Sequence, residues 1–335
     1  MSILKDLEVP IGKIFSMEFS EKGAKRVMRG RWIISLFLMP FLWGCSIPLV
    51  RPDRIGWNPS LSPQTLETKG GTIFYVAKGE GKPLILIHGY GAAIWVWEKQ
   101  IDVLSQFYRV YVLDVIGHGF SDRPRVEYTP DMYRVALRDF MDGLGIEKAT
   151  LIGNSMGGGI AWGMAIRFPE RVEKLILINS VPPDVLGKVR NESFRTLVAI
   201  KDVPFLPYLV IAGRTKKSIK WILQECVADI KLITPEVLNR QFQLSRIEGT
   251  TWVLYSTFKN ADQALAFQDD LSRIRHPTLL LWGDRDLVFP LSVGKELEHE
   301  ISDSLLKPVP GSGHIPMWEA PDEVNQAILD FLRAR

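Results

Sequence analysis

The chain has 335 residues, 46% hydrophobic and 24% charged, which is enough apolar material for a large core and too mixed a composition for disorder or a polytopic membrane protein. Two cysteines, Cys45 and Cys226, cannot build a disulfide framework, so packing has to hold the fold. The formal net charge of +3 resides in residues 1–31, which carry seven Lys/Arg against four acids, while the other 304 residues balance at 34 of each sign. A neutral body argues against a surface that tracks phosphates, so no nucleic-acid partner is expected.

The basic segment 1–31 leads into 32–50, 19 residues without a charge. A helix of that length, at about 1.5 Å per residue, just crosses a hydrocarbon core of about 30 Å. The positive flank then keeps the N-terminus in the cytoplasm and puts the body on the opposite face. Pro40 and Pro48 interrupt a uniform helix, and Leu42-Trp43-Gly44-Cys45 resembles the lipobox of a bacterial lipoprotein, with Cys45 as the lipidated residue. A single-pass anchor and a lipoprotein-type signal both predict a membrane-associated protein. Residues 51–68, with Pro52, Pro59 and Pro63 and no apolar periodicity, read as an extended tether, so the folded body is expected from 69 onward.

Within the body, 84–88, 110–114, 149–153, 175–179 and 278–283 are continuous apolar runs of strand length. Continuous rather than alternating runs predict strands buried on both faces of a parallel sheet. Helical patterns separate them: 92–107 places Trp95, Ile101 and Leu104 at helical spacings, and 130–144 opens on Thr129 as N-cap with Pro130 behind it. The alternation predicts an α/β fold with a mostly parallel central sheet flanked by helices. Over 182–272 the rhythm gives way to helical segments broken by Pro204, Pro207 and Pro235, which reads as a helical cap inserted into a core formed by 69–181 and 273–335. Its aromatics, among them Phe194, Phe205, Tyr208, Trp252 and Phe267, either line a substrate pocket or pack the cap itself.

The chemistry is concentrated in Gly153-Asn154-Ser155-Met156-Gly157, at a strand-to-helix junction. Glycines on both sides of the serine permit the tight turn of a nucleophile elbow. A serine hydroxyl needs a base in hydrogen-bond reach and a third group to orient that base. His314, in Gly-Ser-Gly-His after the last strand, suits the base; His88 and His118 lie in turns, His276 precedes a proline and His299 sits on a charged helix. Asp286, beyond Asp284 on the loop after 278–283, is the candidate acid, with Asp284 left to cap the turn. Two backbone donors complete the set, Met156 N–H and Tyr90 N–H in His88-Gly89-Tyr90-Gly91, each worth about 3 kcal/mol to an oxyanion-like transition state.

With these motifs and Asp114-Val-Ile-Gly-His-Gly-Phe-Ser121 in order, the chain resembles the α/β-hydrolase-fold superfamily over 69–335, in particular its capped serine hydrolases. The resemblance implies a serine esterase or lipase using Ser155, Asp286 and His314, and it speaks against the epoxide hydrolases and dehalogenases of the family, whose nucleophile is aspartate. Gly-Asn-Ser-Met-Gly-Gly is also similar to the elbow of C–C bond hydrolases that open ring-fission products of aromatic degradation. Those enzymes carry a Ser-Gly-Pro-Gly type loop and a Trp after the catalytic His, where this chain has Tyr90-Gly91-Ala92 and Ile315. The expectation is therefore a membrane-tethered hydrolase of a small-molecule carboxylic ester or related acyl substrate, without cofactor or metal. The alternatives are a C–C bond hydrolase and a slow-turnover small-molecule binder on the same fold.

Overall fold

The apolar runs become strands because each serves two cores at once. In the computed structural model, which describes residues 61–334, eight strands form one sheet. They are β1 (Pro63–Thr68), β2 (Gly71–Lys78), β3 (Pro83–Ile87), β4 (Arg109–Leu113), β5 (Ala149–Asn154), β6 (Val172–Ile178), β7 (Thr278–Gly283) and β8 (Ser304–Val309). Their spatial order is β1-β2-β4-β3-β5-β6-β7-β8. β1 runs antiparallel to β2 and β2 to β4; every other pairing is parallel.

Successive residues of a strand point to opposite faces. Ile85, Ile87, Leu151, Leu175, Leu177 and Leu280 accordingly enter one core, and Leu84, Leu86, Ile152, Ile176, Leu279 and Leu281 enter the other. The first core is closed by α2 (Pro130–Gly143), α3 (Met156–Arg167) and α10 (Leu291–Glu300); the second by α1 (Glu98–Leu104) and α12 (Pro321–Ala334). Thr129 caps α2, its side chain accepting from Met132 N at 3.1 Å with Pro130 at the first helical position.

Two local expectations differ from what forms. Pro63–Thr68, read as part of the tether, is the edge strand β1. Proline is tolerated there because it opens an edge strand, where no partner needs its missing N–H. The helix expected over 92–107 is a 3₁₀ turn, Ile94–Trp97, followed by the short α1; all four residues of the turn are buried, so no polar face is left for a longer amphipathic helix.

Between β6 and β7 lie α4 (Val185–Lys188), α5 (Glu192–Ala199), α6 (Leu206–Ala212), α7 (Lys216–Cys226), α8 (Pro235–Ser245) and α9 (Thr250–Lys259). The parallel strands all point their carboxyl ends the same way, toward the loops that carry the motifs. The apolar run 32–50 and Cys45 lie outside the described residues. Among the described residues, no helix is long and apolar enough to cross a membrane.

Candidate active site

The elbow follows from local crowding. Ser155, between β5 and α3, has φ 54° and ψ −119°, a conformation that costs a non-glycine residue of order 1–3 kcal/mol and persists only where its surroundings impose it. Here they do: a Cβ on Gly153 would overlap the Gly157 carbonyl, and one on Gly157 would overlap the Ile87 carbonyl of β3. The turn is pinned by Ser155 N donating to Ile178 O at 3.0 Å and Val181 N donating to Ser155 O at 3.1 Å.

His314 lies between β8 and α11 (Pro316–Glu319), with Nδ1 2.9 Å from Asp286 Oδ2. Because a carboxylate accepts, Nδ1 carries the proton and Nε2 is left with the lone pair a serine proton needs. Asp286 is held by four donors: His314 Nδ1 and Asn179 Nδ2 (2.7 Å) on Oδ2, and the amides of Val288 (2.7 Å) and Phe289 (3.2 Å) on Oδ1. Asp284 has a different occupation, accepting from Gly311 N at 2.8 Å.

Ser155 and the His314 loop are joined through Asn154, whose Nδ2 donates to both Ile178 O and His314 O at 3.0 Å. No hydrogen bond runs from Ser155 Oγ to His314 Nε2; such contacts tighten when substrate arrives. Ser155, Asp286 and His314 are 8%, 6% and 5% exposed.

The two expected oxyanion donors flank the serine. Met156 opens α3, so its N–H has no acceptor within the helix. The Tyr90 loop lies against the elbow: a Cβ on Gly89 would come 3.0 Å from Ser155 Cβ. Two helices between β6 and β7 grip this loop, with Tyr90 Oη donating to Leu254 O of α9 at 2.7 Å and Gln241 Nε2 of α8 to Gly91 O, the carbonyl of the second loop glycine, at 2.6 Å. Behind it His88 is fully buried and neutral, Nδ1 donating to Gly89 O (2.8 Å) and Nε2 accepting from Val115 N (3.0 Å). Burial lowers its pKa to about 4. Burial likewise raises Asp114 to about 7, against the lowering by its bonds from Phe120 N and Ile94 N.

Sequence reasoning missed Asn154, Asn179 and Arg214. Asn154 ends β5 and Asn179 directly follows β6, each a buried polar residue at the end of an apolar run, which is a readable signal. Arg214 gave none. It donates to Ile211 O, Thr251 Oγ1 and Ser245 O, its Nε has no partner, and no carboxylate pairs with it among the described residues. Burial, followed by the like charge of Arg246, lowers it to about 10, and its charge acts on Tyr90. Of the inserted aromatics, Phe194 packs against Tyr90 (5.6 Å between rings), Tyr208 packs on Tyr255 and Phe205 is exposed. Among the described residues, no group of three or more His, Cys, Asp or Glu is placed to hold a metal ion.

The family profile described as α/β hydrolase fold matches residues 82–321. The chain belongs to the α/β hydrolase fold family. As a hydrolase of that family it is 31% identical to the 2-hydroxy-6-oxo-6-phenylhexa-2,4-dienoate hydrolase of Comamonas testosteroni over 78% of this chain and 92% of that one. It is 29% identical to epoxide hydrolase 3 of Xenopus tropicalis over 80% and 76% of the two chains. The structure resembles that of a meta-cleavage product hydrolase from Pseudomonas fluorescens IP01, with TM-score 0.69, 30% identity and coverage of 82% and 99%.

These relatives overturn the expected localisation. The match takes in 92% of the Comamonas testosteroni enzyme, whose name is that of a dienoate hydrolase. No spanning helix exists among the described residues. The reading of a membrane-associated protein, N-terminus cytoplasmic and catalytic body on the opposite face, is therefore withdrawn, and with it the membrane as a partner.

Proposed function

We propose that this α/β hydrolase cleaves a carbon–carbon bond beside the ketone of a 2-hydroxy-6-oxo-dienoate, with Ser155 as nucleophile, His314 as base and Asp286 as the group that orients it. The observation that carries the reading is the similarity at 31% identity across 92% of a dienoate hydrolase. Ser155 separates it from the epoxide hydrolases, whose elbow nucleophile is a carboxylate, a difference of chemistry rather than of detail. Residues 182–272 act in this reading as the cap that closes over the site.

The chemistry suits the residues. Ser155 Oγ attacks the 6-oxo carbon as His314 Nε2 takes its proton, and the Tyr90 and Met156 amides receive the oxyanion. The dienol first ketonises, its 2-hydroxyl proton moving to C5. As the C5–C6 bond then breaks, its electron pair passes into the conjugated 2-oxo acid as a dienolate, which makes carbon a tolerable leaving group, and His314 returns the proton to the C2 oxygen. Water, activated by His314, then releases the acyl group. Arg214, a half-buried cation with no carboxylate of its own among the described residues, is the natural counter-ion for the substrate carboxylate.

A carboxylic ester is the second reading, because the same machinery serves both bonds and because Tyr90-Gly91-Ala92 and Ile315 depart from the loop and Trp of the C–C hydrolases. Comparing kcat/KM for 2-hydroxy-6-oxo-6-phenylhexa-2,4-dienoate, whose conjugation is lost on cleavage, with p-nitrophenyl benzoate, which delivers the same acyl group, decides between them. The dienoate is expected to be preferred by at least about 100-fold. Preference for the ester would replace the first reading with the second.

A further inference from the structure

The turn that presents His314 is strapped to the inserted helices by one side chain. Glu319, at the end of α11, accepts from Gly313 N through Oε1 at 2.8 Å and from Ala228 N through Oε2 at 2.6 Å. Gly313 is the residue before the imidazole; Ala228 lies just past the end of α7, 91 residues away from Glu319. Beside them His314 N donates to Cys226 O at 2.8 Å. The two backbones approach so closely that a Cβ on Gly313 would fall 2.9 Å from both Ala228 N and Cys226 O. A carboxylate that merely capped its own helix would not spend one oxygen on each of two separate segments.

We propose that Glu319 is a positioning residue that makes seating of the 226–228 segment and placement of His314 a single event, so that the base is aligned with Ser155 only when the inserted segment is closed. The proposal rests on the reading of Ser155 and His314 as nucleophile and base and adds to it a route by which closure is felt at the imidazole. Both residues are nearly buried, and in this proposal substrate enters as the 226–228 segment opens. If the 226–228 segment opens, the strap takes support from the base, which keeps an open, water-filled site from activating its serine.

The test uses the full chain and two variants, Glu319→Gln, which keeps the shape but leaves one amide facing an NH₂ donor, and Glu319→Ala, which frees both. The first readout is phosphonylation of Ser155 by a small alkyl fluorophosphonate, followed by intact mass: the Oγ–P bond forms, P–F breaks, fluoride leaves and the serine proton goes to His314. The second is backbone amide exchange. Labelling is expected to slow about tenfold in Glu319→Gln and about 100-fold in Glu319→Ala, the scale of a misplaced catalytic group. Exchange should rise together at 226–228 and 311–314, leaving β5 and β6 unchanged. Wild-type labelling rates in both variants, or exchange that rises in one segment alone, would overturn the proposal. A wild-type chain that is not labelled would count against the Ser155 reading, and the exchange measurement would still decide whether the strap couples the two segments.

Discussion

The side-chain amide of Asn154 donates to the carbonyl oxygen of His314 at 3.0 Å, so the residue before the elbow serine holds the loop of the imidazole. Its second bond, to Ile178 O, ties the same amide to β6. Replacing it with alanine removes that donor from His314 O, at a cost of about 1–3 kcal/mol, while Ile178 O keeps the Ser155 amide. Asn154→Ala is expected to lower both the melting temperature and kcat, with a loss of tenfold or more in turnover measured at a temperature where the variant is folded.

Asn179 supports Asp286, the proposed acid, in the same way. Its Nδ2 lies 2.7 Å from Asp286 Oδ2, and its Oδ1 accepts from Gly283 N at 3.1 Å. Asn179→Asp would set two carboxylates in contact, and like charges at that distance cannot both remain ionised without cost. The variant is expected to lose about 10- to 100-fold in kcat at neutral pH while retaining the wild-type circular dichroism spectrum.

The fold is legible in the sequence where its signals are local. The elbow is written in Gly153, Ser155 and Gly157, three residues within five, because the constraint is a clash between neighbours. β3, β5, β6 and β7 are legible because burial on both faces leaves an uninterrupted apolar run. β1 is not, since an edge strand with an exposed face has no such run and exists only through its pairing with β2. Glu319 and Arg214 could not be found at all: their roles depend on segments that the chain brings together from far apart.

Arg214 provides a prediction about substrate charge. If its guanidinium meets the dienoate carboxylate, Arg214→Ala removes a charge-assisted contact worth about 1.5–3 kcal/mol, which is about 10- to 100-fold in KM for the dienoate. An uncharged p-nitrophenyl ester should show little change. Equal losses on both substrates would assign Arg214 to the packing of the inserted segment instead.

His88 links stability to pH. Its folded pKa is lowered by burial to about 4, so below the ordinary value of 6.5 the unfolded chain binds the proton that the folded chain refuses. This contribution is intact above pH 6.5 and is lost as pH falls toward 4, by about 3 kcal/mol in total. Asp114, raised by burial to about 7, works in the opposite sense, favouring the folded state at low pH and losing that advantage as pH rises through 7. Denaturant melts of wild type and His88→Gln across pH 4–7 should show the variant missing the acid-side loss attributed to His88.

The central claim is that Ser155 is the nucleophile of a dienoate-cleaving hydrolase. The measurement that bears on it most directly is consumption of 2-hydroxy-6-oxo-6-phenylhexa-2,4-dienoate by the full chain beside its Ser155→Ala variant, followed by loss of the conjugated chromophore. Turnover by the wild type with a loss of about 1,000-fold or more in the variant is the predicted result. A folded variant that keeps more than about a tenth of the wild-type rate would contradict the account, because loss of a nucleophile forfeits far more than that.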